Sequence, residues 1–268
     1  MTDFLDEVVA RTRQRVEAQK RQTPLAQLRK RLLDHEPVRP FSKALHKAHA
    51  VSLIAELKQA SPSAGVIRKE SDIPGRIHGY TKGGAAALSI LTEEYYFHGS
   101  PQLLELARRE TKLPLLRKDF IIDPYQIEES LSMGADAVLL IATLLPGALL
   151  KEFIGLARAI NLEPLVEVHD EKDLEQAIES GATLIGVNNR NLRTLRVDLS
   201  TAKKLVPRIP RRGVTIVIES GIKEPSELPR FQQWGVHAVL IGETLMRHPD
   251  PEAVVRSFVQ AGRMEIPS

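Results

Sequence analysis

Apolar residues in this chain fall into short unbroken runs that return at regular intervals. Four runs follow a glycine: Gly84-AAALSIL, Gly134-ADAVLLIA, Gly181-ATLIGVN and Gly235-VHAVLIG, with successive glycines 50, 47 and 54 residues apart. Four more fall roughly midway: Val51-SLIAELK, Pro114-LLRKD, Glu163-PLVEVH and Val214-TIVIES. Runs this short, rich in Val, Ile and Leu, read as strands buried on both faces. Each of the four glycines closes a helix-like segment, where a residue that tolerates positive φ is wanted. The intervening stretches are amphipathic. Pro124-YQIEESLSM, Pro146-GALLKEFIGLARAI and Glu171-KDLEQAIES predict helices, the first two with proline in the opening turn. Eight alternating strand–helix units predict an α/β fold, a single (β/α)8 TIM barrel. A doubly wound open sheet is the alternative.

The first 50 residues stand outside that count. Phe4, Leu5, Val8 and Val9, then Leu25, Leu28, Leu32 and Leu33, recur at helical spacing, and Pro24, Pro37 and Pro40 interrupt them. Two extra helices are expected, covering the barrel or its mouth. The organisation expected is an N-terminal helical extension over 1–45 and a barrel over 46–268, forming one structural unit. The segment also concentrates basic charge, including arginines 11, 13, 15, 21, 29 and 31. No aromatic residues interleave with them, so they read as a solvated helix face rather than a nucleic-acid surface.

Composition narrows the function. The 268 residues carry 37 Lys and Arg against 34 Asp and Glu, a net charge of +3. That excess is too small to mark a nucleic-acid or membrane partner. Cysteine is absent, which removes disulfides, thiol nucleophiles and Cys-ligated metal centres and fits a reducing compartment. Asp3, Asp6 and Glu7 precede any long apolar stretch, unlike a signal peptide. The most apolar run, 137–150, is shorter than the ~20 residues that span a bilayer. A cytoplasmic protein is expected. No GxGxxG follows a strand, and GxSxG, HExxH and a GK dipeptide are all missing, so neither a nucleotide cofactor nor a metal is expected.

In such barrels the chemistry gathers at the carboxyl ends of the strands. Those ends read Glu56-Leu-Lys58, Thr92-Glu93-Glu94, Arg117-Lys118-Asp119, Thr143, Glu167-Val-His169, Asn188-Asn189-Arg190, Glu219-Ser220-Gly221 and Gly242-Glu243. Residues two apart share a strand face. Glu56 and Lys58 therefore point together into the mouth, where an ion pair is cheaper than beneath apolar helices. Of Arg117 and Lys118 only one can enter. Lysines and glutamates crowded there shift one another's pKa and can serve as general acid and base near neutrality. The glycines closing the last two strands suit an approaching phosphate.

At these residues the sequence resembles the indole-3-glycerol-phosphate synthase family across roughly residues 50–248. The resemblance rests on Ile54-AELKQASPS, Gly83-GAAALSILTEEYYFHGS, Leu116-RKDFIIDPYQI, Leu162-EPLVEVH, Gly186-VNNRNL, Glu219-SGI and Ile241-GETLM. It implies a cofactor-free ring closure of 1-(2-carboxyphenylamino)-1-deoxyribulose 5-phosphate, releasing carbon dioxide and water. It further implies Lys118 as general acid on the substrate carbonyl and Glu167 beside the aniline nitrogen. Lys58 would stand near the carboxylate and the departing hydroxyl. Glu56 and Asn188 would position the hydroxyls, and Ser220 and Gly221, with Gly242 and Glu243, would contact the phosphate. Ser61 of the SPS motif and Arg190 would meet the anionic substrate, and Phe97 and Phe120 would wall its ring. The implied partner is this small phosphosugar–anthranilate molecule, with no nucleic acid or membrane, on a monomer or weak homodimer. The chain departs from the family pattern at Ala60, Tyr95, Asn191 and Ile218, none of them assigned to chemistry. A related phosphosugar isomerase barrel, or an inactive barrel that binds an anion, are the other readings. The isomerase chemistry wants a thiol that this chain lacks.

Overall fold

The computed structural model describes residues 4–32 and 35–263. Leu33, counted above toward the second helix, lies outside them. Eight strands lie within the eight apolar runs: β1 Ser52–Leu57, β2 Ala87–Leu91, β3 Leu115–Lys118, β4 Ala137–Ile141, β5 Glu163–Val168, β6 Leu184–Asn188, β7 Thr215–Glu219 and β8 Ala238–Ile241. Each pairs in parallel with its sequence neighbours. The ring closes because β1 pairs with β2 on one side (Ile54↔Ala87) and with β8 on the other (Ser52↔Ala238). That closure removes the open-sheet alternative. The four repeat glycines sit at φ +95°, +86°, +78° and +75°. Only glycine adopts that left-handed backbone freely, so the repeat marks each place where a helix ends and the chain turns back into the barrel.

Alternation sorts the strand residues. Ile54, Leu116, Leu139, Leu165, Val217 and Leu240 point inward and form the barrel's inner core. Leu53, Leu57, Leu88, Leu115, Val138 and Val166 point outward beneath the helices. Each such side chain contributes about 1.5–3 kcal/mol on burial. Together they make the wall on which the polar strand ends are mounted.

The helices are α1 Phe4–Gln22, α2 Leu25–Arg31, α3 Phe41–Leu45, α4 Ile73–Gly83, α5 Pro101–Glu110, α6 Pro124–Ser132, α7 Ala148–Ala159, α8 Glu171–Glu179, α9 Ser200–Leu205, α10 Leu228–Gln233, α11 Glu243–Arg247 and α12 Pro251–Ala261. The helix after Asp123 begins where expected, with Pro124 in its first turn and a capping box between Asp123 and Gln126. α7 starts two residues later than its sequence suggested. A one-turn 3-10 helix at 142–144 and a left-handed Gly147 intervene before the helix can begin. Among the described residues no helix is long and apolar enough to cross a membrane.

The extension behaves differently from its expectation in two respects. First, Arg15 does not lie on a solvated face. Its guanidinium forks the carboxylate of Asp119 just past β3, at 2.8 and 2.9 Å, and Lys20 reaches Asp123 at 2.6 Å. These contacts hold α1 against the carboxyl end of the barrel, while Arg11, Arg13, Arg21 and Arg29 remain exposed. Second, the third helix, α3, closes the opposite end. Ser42 N–H donates to Glu163 at the start of β5, and His46 meets Thr215 at the start of β7. Phe41 and Leu45 are fully buried against the inner core. Five residues between Pro40 and His46 are too few to show a helical period, which is why the sequence hid this plug.

Candidate active site

The carboxyl ends of the strands enclose a cavity of about 1030 Å³. All thirteen residues singled out from the sequence line it: Glu56, Lys58, Ser61, Phe97, Lys118, Phe120, Glu167, Asn188, Arg190, Ser220, Gly221, Gly242 and Glu243. Phe4 from α1 also reaches it, so the extension forms part of the wall.

β3 divides its two cations as alternation requires. Arg117 turns outward and is fully buried, held by Asp119, Glu129 and the Gln126 carbonyl. Lys118 turns inward. Its ammonium donates to Glu167 Oε2 at 2.7 Å and to Glu219 Oε2 at 2.5 Å. Across the mouth, Lys58 Nζ lies 2.8 Å from Glu56 Oε1. The sequence shows Glu219 only as the end of a strand. Its recruitment depends on a neighbouring strand: an added Cβ at Gly186 of β6 would stand 2.2 Å from Glu219 Oε1. The bare glycine makes room for the carboxylate. Gly242 does the same for Glu56, whose Oε1 would lie 2.3 Å from a Cβ there.

The remaining residues divide into tethered and open groups. Asn188 Oδ1 accepts the Arg190 backbone N–H at 2.9 Å. Arg190 Nη1 donates to Ser63 Oγ and to the Leu195 carbonyl, so its guanidinium is already moored to the β1 and β6 loops. Ser61 Oγ accepts the N–H of Ala64. Ser220 and Gly221 are both left-handed, at φ +65° and +83°, and turn the chain sharply after β7. Glu243 pairs with Arg247 one turn along α11. Phe97 and Phe120 face each other with ring centroids 6.3 Å apart. Of the departures from the family pattern, Tyr95 lies exposed under Arg11, whose guanidinium carbon is 3.7 Å from the ring centroid. Asn191 Oδ1 accepts the N–H groups of Arg193 and Thr194.

Electrostatics separate the two carboxylates on Lys118. Burial pushes both up. For Glu167 the ammonium of Lys118 and a contact with His169 overcome burial and hold it well below the usual range. For Glu219 burial wins, reinforced by the negative charge of Glu167, and its pKa rises to about 7. Burial works against the Lys118 ammonium, yet Glu167 and Glu219 more than offset this and raise its pKa. A site with a fixed anion, a fixed cation and a carboxyl poised near neutrality can pass protons in both directions.

A closed (β/α)8 barrel with such a lysine between two carboxylates defines an acid–base barrel enzyme. The family model for indole-3-glycerol phosphate synthase matches residues 5–258, and the chain belongs to that family. It is 44% identical over 254 residues to the indole-3-glycerol phosphate synthase of Carboxydothermus hydrogenoformans, covering 92% of this chain and 96% of that one. With the protein of the same name from Neisseria meningitidis serogroup B it is 44% identical over 258 residues, covering 95% and 98%. Among solved structures, the 3-hexulose-6-phosphate synthase of Salmonella typhimurium aligns with a TM-score of 0.63 at 14% identity, over 79% of this chain and 98% of that one. That likeness is one of fold. Family membership makes the chain a decarboxylating lyase of tryptophan biosynthesis.

Proposed function

We propose that this cavity closes the pyrrole ring of 1-(2-carboxyphenylamino)-1-deoxyribulose 5-phosphate by lysine–glutamate acid–base catalysis. The observation that carries the assignment of roles is Lys118, held inside the cavity between Glu167 and Glu219. Its ammonium donates a proton to the ketone oxygen as the ring carbon bearing the carboxylate attacks the ketone carbon. Glu167, kept anionic, faces the positive charge that develops on the aniline nitrogen. Carbon dioxide leaves and aromaticity returns. The new hydroxyl then departs as water, taking a proton from the Lys58 side, while a proton is lost from the adjacent methylene carbon. Glu219 accepts it, which suits a carboxylate with a pKa of about 7.

Binding follows the same map. Phe97 and Phe120 flank the anthranilate ring, and Ser61 and Arg190 meet the anionic groups. Glu56 and Asn188 hold hydroxyls. The phosphate lies against the backbone N–H groups of Ser220–Gly221 and Gly242–Glu243, the last two β-strand ends. The enzyme works in the cytoplasm as a monomer or weak homodimer, without a nucleic-acid or membrane partner.

The test is to supply that phosphosugar–anthranilate compound and follow the growth of indole fluorescence. Wild type should turn it over, and Lys118→Ala should lower kcat by at least ~100-fold, the lower range for removing a general acid. Absence of turnover by folded wild type would overturn the reading.

A further inference from the structure

The two glutamates on Lys118 differ in what stands behind them. Glu219 Oε1 is buried and makes no hydrogen bond. Glu167 Oε1 lies 3.1 Å from Nε2 of His169, two residues further along the same strand face; this is an ion-pair contact, since Nε2, like Glu219 Oε1, has no hydrogen-bond partner. The other ring nitrogen, Nδ1, lies 3.2 Å from Asp173 Oδ2 in the first turn of α8. That same oxygen accepts the His169 backbone N–H at 3.1 Å and the Thr143 hydroxyl at 2.8 Å. Asp173 is therefore tied to the end of β4 as well as to its own loop. The imidazole, only 9% exposed, sits between two carboxylates, one at each nitrogen. An opposite charge within about 4 Å favours the charged form of a titratable group, and here one stands at each ring nitrogen.

We propose that His169 is a positioning residue that acts as an imidazolium: it holds Glu167 as a permanent anion and thereby leaves Glu219 as the carboxylate that takes up the mobile proton. The electrostatic surroundings agree: burial disfavours the charged ring, but the carboxylates of Asp173 and Glu167 lift its pKa to about 9. The groups facing this cluster are Lys118 from β3, Glu56 with its Lys58 partner from β1, Glu219 from β7 and Asp173 from α8. Without the His169 cation, Glu167 and Glu219 become near-equivalent carboxylates sharing one lysine. Such a pair binds its first proton at higher pH and no longer confines it to one side.

The inference rests on the ring-closure reading above, and the experiment keeps the two apart. His169→Gln retains a hydrogen-bond donor but not the charge. In the folded variant, the limb of the kcat/KM–pH profile near pH 7 should move up by about one pH unit, and kcat should fall while KM stays within twofold. An unshifted limb in a folded variant would overturn the inference. A second measurement needs no turnover. In ligand-free wild type, the proton and nitrogen resonances of His169 should report a ring protonated on both nitrogens at pH 7, with a midpoint well above the ~6.5 of a free imidazole. A neutral ring at pH 7 would overturn the proposal, whether or not the variant folds. Wild type that fails on the substrate but shows the charged ring would sink the functional reading alone.

Discussion

Replacing Gly186 by alanine asks how much of the activity depends on empty space. Gly186 is not in the left-handed region, so alanine introduces no backbone strain, and the loss of glycine's freedom in the unfolded chain favours the fold by about 0.4–1 kcal/mol. The obstacle is Glu219, whose Oε1 would stand 2.2 Å from the new methyl carbon, while Leu165 Cδ1 at 3.4 Å is in ordinary contact. To reach 3.4 Å itself, the oxygen must retreat by about 1.2 Å. Its partner oxygen is bonded to Lys118 at 2.5 Å, so that retreat breaks or skews the bond. Misplacing a reacting group by about 1 Å costs on the order of 100-fold, equivalent to about 2.7 kcal/mol of barrier. Gly186→Ala should therefore lose about two orders of magnitude in kcat while its melting temperature stays within a few degrees of wild type. Indole fluorescence and a thermal melt on the same sample measure both. Activity within threefold of wild type would refute the steric argument. Unfolding would show that Glu219 cannot yield.

Two other outcomes can be checked by unfolding. Arg15→Ala leaves Asp119, fully buried, with Arg117 as its remaining cation; losing one partner of a buried pair costs about 3 kcal/mol, so the denaturant midpoint should fall clearly, and an unchanged midpoint would mean that the Arg15–Asp119 contact does not hold α1 in place. His169 has a folded pKa of about 9, above the ~6.5 of the unfolded chain, so its stabilisation is complete below pH ~6.5 and is lost as pH rises through 9. Wild type should accordingly lose melting temperature across that window relative to His169→Gln, and parallel curves would contradict the assignment.

The strands, their order and the four turning glycines were legible because burial on both faces writes itself as unbroken apolar runs. The split between Arg117 and Lys118 was legible because alternation needs only two adjacent positions. The strand-end residues given a role do line the cavity, whereas Thr92, Glu94, Arg117, Thr143, His169 and Asn189 do not, and moored groups such as Arg190 could not be told from free ones. What escaped depended on relations between distant residues. Glu219 earns its place through a missing side chain on β6, and β6 and β7 meet in a register (Asn188↔Glu219) that no single run encodes. Arg15 looked like its exposed neighbours because its acceptor lies 104 positions away. α3 is held by tertiary burial of Phe41 and Leu45 rather than by length, so its local pattern carried no signal.

The arrangement of the extension, with α1 at one end of the barrel and α3 at the other, also constrains the order in which the molecule can be completed. Arg15 waits for Asp119, Ser42 for Glu163 and His46 for Thr215, at separations of 104, 121 and 169 residues. The amide of Val51, at the threshold of β1, waits for the carbonyl of Gly262. During synthesis this segment leaves the ribosome before every one of those partners and must wait for them. The partners of α1 are in place once Asp119 and Asp123 have emerged, but until β7 follows α3 lacks its Thr215 contact and that end of the growing barrel has no finished cover.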